Sequence, residues 1–184
     1  MRGVLFAILT GLVGAALLHI VIILAVPEFT GRDAYTKVLS FGEPNRFFSL
    51  PNETGSGAAL VNDDPYLHAA VCAFSVADGP VRFRAPGGVP LWTFAIFDTG
   101  ANEVFSMNDN TSVTGGLDLV AATPVQLVGL RKALPEALSQ SVLAEMRGEE
   151  GYAVLRALAP MPSFEEDARS FLTDAGCDPL AEGG

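Results

Sequence analysis

From Val4 to Pro27 the chain carries no charged side chain, and this apolar run restricts its fold more than any other feature. A helix over residues 3–26 is long enough to cross roughly 30 Å of hydrocarbon at a rise of about 1.5 Å per residue. Arg2 precedes the run and Glu28 follows it. The bias of basic residues toward the cytoplasm then places the start inside and everything after the helix outside. The expectation is a bacterial inner-membrane protein with a cytoplasmic N-terminus and its main domain in the periplasm. A cleaved signal peptide is the competing reading. Its apolar core usually has about 7–15 residues and ends in small residues at a cleavage site, whereas this run is longer and closes on Ile22-Ile23-Leu24-Ala25-Val26-Pro27.

Within the run, Gly3, Ala7, Gly11 and Ala15 recur every fourth position, and His19 continues the stripe. Small residues at this spacing let two membrane helices approach closely, because packing rather than the hydrophobic effect drives their association. An imidazole inside hydrocarbon is costly unless it reaches a partner or the interface. The stripe is therefore a candidate contact with another membrane protein, although glycine and alanine are common in membrane helices for no such reason.

The chain has 184 residues, which leaves room for one ordinary domain beyond the helix. The eleven basic residues less Arg2 face 21 acidic ones, so the exported part has a formal charge of about −11. Such a surface repels phosphate backbones and anionic headgroups, which argues against nucleic acid and peripheral lipid as partners. Cys72 and Cys177 both fall on the side assigned to an oxidising compartment, where thiols pair, and a disulfide between them is expected; two buried thiols are the alternative. Neither the cysteines nor His19 and His68 have metal-ligand spacing, so no metal or cofactor is expected.

Three segments follow from these patterns. Residues 1–27 are the cytoplasmic start and anchor, 28–65 a linker that orders onto the domain, and 66–184 a β-rich domain. In the linker, Asn45-Arg46-Phe47-Phe48 is an aromatic patch expected to pack on the domain. From Leu67 onward, short alternating runs between turn residues predict strands. Cys72, Phe74 and Val76 share a face. Val81, Phe83 and Ala85 alternate with Arg82 and Arg84, as in an edge or half-buried strand. Leu91 to Phe97 is apolar on both faces, as in a central strand. Val104–Met107 and Leu117–Ala121 add two more, and Val142–Met146 with Tyr152–Leu158 reads as a hairpin across Gly148-Glu149-Glu150-Gly151. Thr123-Pro124 opens one helix, bounded by Pro135. Ser163 and Glu166 have capping-box spacing for a second, with Phe164, Ala168, Phe171, Leu172 and Ala175 inward and Gly176 as its cap. The fold class is one N-terminal transmembrane helix plus a mainly β (α+β) domain, antiparallel and β-sandwich-like, with two short helices.

Asp64-Pro65-Tyr66, then Val76-Ala77-Asp78-Gly79-Pro80-Val81, then Trp92-Thr93-Phe94-Ala95-Ile96-Phe97-Asp98 occur in an order shared with a known family. Asn102-Glu103-Val104-Phe105 and Gly115-Gly116-Leu117-Asp118-Leu119-Val120 continue the likeness. Over about residues 63–124 the sequence resembles the bacterial "domain of unknown function 1254" family, and as a short anchored chain it resembles the small membrane-anchored members. Larger members look like β-sandwiches, often followed by a second family of unknown function, numbered 1214, for which this chain has no room. The resemblance implies a sandwich-like fold and a cell-envelope location, and it transfers no catalytic residues.

Three functions remain in play. The favoured one is a non-catalytic accessory or interaction subunit of a larger inner-membrane assembly. The second is an anchored module that holds a small apolar or sugar-like ligand, with Trp92, Phe94 and His68 as the candidate surface. The third is an envelope hydrolase using His68, flanked by Asp63, Asp64 and Tyr66, which requires a nucleophile brought near by the fold. Asp98, Asn102, Asn108, Asp109 and Asn110 are rich in oxygen, but they lack EF-hand spacing and read as turn residues.

Overall fold

The computed structural model describes residues 2–51 and 64–180, with the backbone alone over 27–33. Its first element, α1 (Arg2–Leu39), carries the apolar run and then continues. The expected linker is thus helical over its first twelve residues. The reason lies in a second apolar pattern, Ala34, Tyr35, Val38 and Leu39, whose helical spacing lays one face against the domain. The Gly55-Ser56-Gly57 stretch of that linker lies outside the described residues.

Among the described residues, nine strands follow in two sheets. The first has the order β1 (Phe48–Ser49), β2 (Leu67–Ser75), β8 (Glu150–Leu158), β4 (Trp92–Asp98), β5 (Glu103–Asn108). The second has the order β7 (Val142–Glu145), β6 (Leu117–Ala122), β3 (Val81–Ala85), β9 (Gly176–Pro179). Every pair is antiparallel except β6 with β7, which is parallel. A parallel neighbour needs a crossover connection, and α2 (Pro124–Lys132) supplies it. The expected hairpin between residues 142–146 and 152–158 is therefore corrected: β7 ends one sheet and β8 is the middle strand of the other. Gly151, read as a turn glycine, stands inside β8, where an added Cβ would meet the Phe97 carbonyl oxygen at 2.5 Å.

The sheets face each other across a packed core. Phe83 on β3 lies edge-on to Phe74 on β2 at 5.0 Å and tilts over Phe94 on β4 at 5.1 Å. α3 (Glu165–Thr173) adds Ala168, Phe171 and Leu172 to the same core. The outer face of the five-stranded sheet is covered too, because Val38 of α1 packs with Val71, Ala73, Tyr152 and Val154. This cover makes β8 buried along almost its whole length. β4, expected to be the doubly covered strand, has an exposed Thr93 and a half-buried Phe97.

Two capping expectations divide. Thr123 accepts from the Gln126 backbone N–H while the Gln126 side chain accepts from the Thr123 N–H, closing a capping box on α2. On α3 the Ser163/Glu166 box does not form, because Pro162–Phe164 make a 3-10 turn and the helix starts at Glu165. Asp174 is the C-cap, and Gly176 opens β9 beside Arg84 of β3. Cys177 consequently lies in a strand, opposite Phe83.

Candidate functional site

The expected site residues fall into three separate places. Gly3, Ala7, Gly11, Ala15 and His19 lie along α1, where the segment Arg2–Val26 is long and apolar enough to cross a membrane and none of it is buried. A Cβ added at Gly3 or Gly11 would meet nothing within 4 Å. No contact among the described residues therefore requires a glycine at either position.

Trp92 and Phe94 are somewhere else entirely. Both are fully buried between the sheets, with the Trp92 ring 6.1 Å from Phe171 and its indole N–H donating to the Gly115 carbonyl at 3.1 Å. They are core, not a ligand surface, and this corrects the sequence expectation. The aromatic rings alternate inward with the pleat, where Phe171 of α3 packs on Trp92 and Phe83 of β3 tilts over Phe94.

His68 is the second residue of β2 and is only 9% exposed. It borders a cleft of about 440 Å3 with Ser49, Pro51, Arg169, Leu172 and Thr173. Sequence reading missed Ser49 and Arg169 as neighbours of His68, because β1 and α3 reach it from 19 positions before and about a hundred after. Of the flanking acids, the Asp64 carboxylate accepts from the Tyr66 backbone N–H at 2.9 Å, an Asx turn; Asp63 lies outside the described residues.

The remaining sequence candidates resolve into local chemistry. Asp98 accepts from the N–H groups of Gly100 and Asn102 at 2.8 and 2.9 Å and from the Asn102 side chain. Asn108 and Thr111 cap each other around a 3-10 turn. Both are turn arrangements. The Sγ atoms of Cys72 and Cys177 are 2.04 Å apart, a disulfide joining β2 of one sheet to β9 of the other. The patch at residues 45–48 packs as expected, with Phe47 at 6.4 Å from Phe83 and the Arg46 guanidinium 5.9 Å from the Phe48 ring centre.

Together these features define a class: a helix of membrane-spanning length leading into an α+β domain of two facing sheets. No protein-family model matches the sequence, and no protein of curated function matches it. Among solved structures, the VPA0106 protein from Vibrio parahaemolyticus aligns with a TM-score of 0.60 at 14% identity, over 84% of this chain and 37% of its own. That likeness shows a shared fold, and this chain spans little more than a third of that protein's length. An uncharacterised protein from Burkholderia cenocepacia aligns at 14% identity over 62% of this chain and 32% of its own, with a TM-score of 0.40.

Proposed function

We propose that the protein is an interaction subunit anchored in a bacterial inner membrane, with its N-terminus in the cytoplasm, its domain in the periplasm and no catalysis of its own. The observation that carries this reading is the pair of glycines at positions 3 and 11, on the exposed apolar segment Arg2–Val26, whose missing side chains make room for nothing among the described residues. A second helix seated on Gly3, Ala7, Gly11 and Ala15 accounts for them, since close backbone approach is what small residues permit in lipid. His19 on the same stripe then has a neighbour with which to share a hydrogen bond. Membership of the small anchored branch of the "domain of unknown function 1254" family belongs to the same proposal. It is supported by the residues quoted above and by a two-sheet fold.

The test is extraction of the tagged full-length chain in mild detergent, with identification of proteins that co-elute at fixed stoichiometry. A defined membrane partner is expected, and Gly11→Leu should release most of it, because a bulky side chain holds the helices apart. Co-elution unchanged in that variant removes the stripe from the argument. A lone monomer in both cases moves the assignment to an anchored ligand-binding module, the reading that the cleft beside His68 favours.

A further inference from the structure

At the start of β2 the packed interior gives way to open space. Strand alternation carries Phe74, Cys72 and Ala70 into the core, and the next inward position is His68. Ser49 stands opposite Ala70 in the β1–β2 pair, which brings it to the same face as His68 and one diagonal step away. α3 passes alongside with Arg169, Leu172 and Thr173 on one side, as spacings of three and four residues require. An imidazole, a hydroxyl and a guanidinium thereby share the cleft of about 440 Å3, with Pro51 and Leu172 as apolar wall. That volume is within the range of small-molecule sites, roughly 300–1,000 Å3.

The chemistry of these groups narrows the ligand. Arg169 Nη2 lies 3.1 Å from Glu165 Oε2, in a pair whose side chains are 67% and 45% exposed. Such a pair is weak in water. A ligand carboxylate can replace Glu165 on the guanidinium, and a planar two-point contact at the cleft is the stronger arrangement. Glu165, Glu166 and Asp167 open α3, and the chain as a whole carries a formal charge of −10. Multiply charged anions are repelled by that field, whereas a single negative charge is matched by one guanidinium.

We propose that this cleft binds a small monocarboxylate with a short apolar tail, its carboxylate between Arg169 and His68 and its tail against Pro51 and Leu172. The proposal is independent of the helix stripe, since it concerns the domain and needs no protein partner. Butyrate is a suitable probe and n-butanol its uncharged control. The chain has two histidines, His19 in the apolar helix and His68, so ring-labelled histidine in the full-length protein, held in nanodiscs of zwitterionic lipid, reports on the cleft directly by NMR.

Butyrate should move the His68 ring signals saturably, with a Kd on the order of 1 mM, while His19 stays in place and n-butanol moves neither. Arg169→Gln should weaken this at least about tenfold, and Arg169→Lys should retain part of it. Both variants change a largely exposed side chain, and unaltered Trp92 fluorescence certifies that they are folded. His68 signals that fail to saturate with butyrate, or an Arg169→Gln protein that binds like the parent, overturn the proposal. Neither result bears on co-purification through the helix, so the two readings fail separately.

Discussion

Arg82 and Asp118 illustrate how much a single pair does on the outer surface of the four-stranded sheet. The residues are diagonal cross-strand neighbours, two positions out of register, since Arg82 stands opposite Val120 and Asp118 opposite Arg84, and Arg82 donates to both carboxylate oxygens at 2.8 and 2.9 Å and to the Ala137 carbonyl at 3.0 Å. Partial burial alone raises the Asp118 pKa, but the Arg82 hydrogen bonds and charge outweigh it and hold the carboxyl below its ordinary value. The sign follows by linkage: stability from this group is present above the unfolded carboxylate pKa of about 3.9 and is lost as pH falls through the lower folded value. Asp118→Asn should cost about 1 kcal/mol at neutral pH, after allowance for screening at a partly exposed site. Thermal unfolding of the full chain at pH 7 and pH 3 checks this, and the gap between parent and variant should narrow at the lower pH.

At the scale of elements, the last turns of α1 matter more than their position in a presumed linker suggested. Val38 is 3% exposed and lies over Val71, Ala73, Tyr152 and Val154. Burial there, with the nearby Glu150 charge adding to it, raises the Tyr35 pKa above its ordinary value. Val38→Asp places a charge in that contact, which costs far more than leaving the helix end undocked. Trypsin should then cut after Lys37 roughly tenfold faster, an opening made easier by about 1.4 kcal/mol, while the two-sheet domain stays resistant. An unchanged cleavage rate would mean that the contact does not hold α1 to the sheet. The helical spacing of Ala34, Tyr35, Val38 and Leu39 was legible in the sequence. Pro44, Pro51 and the glycines that follow obscured it by giving the whole region the composition of a loop.

At the scale of the whole molecule, one covalent link joins the two sheets at an end where each presents a short outer strand. The Cys72–Cys177 bridge spans 105 residues and joins β2 to β9. On the chain-entropy account, closing so long a loop restricts the unfolded chain, and its removal should cost about 2–5 kcal/mol. Urea unfolding of the full chain with and without reductant measures it. Equal midpoints would show that the packed aromatics hold the sheets together without help. The reduced chain should lose β9 first, because that strand has four residues and, among the described residues, pairs with β3 alone.

Local periodicity by itself determined the apolar helix, the alternating strands and the Thr123 cap on α2, because each depends on neighbours in the chain; it left the two cysteines paired or as buried thiols, and the tertiary structure brought them together. The tertiary structure alone decided which strands pair. It placed β8 in the middle of one sheet and β7 in the other, although a glycine-rich turn signal lay between them, since hydrogen bonding across a sheet is satisfied by strands distant in sequence. It likewise buried Trp92 and Phe94 and gathered Ser49, His68 and Arg169 around one cleft, because which inward side chains meet solvent depends on where α3 closes the core and where it stops.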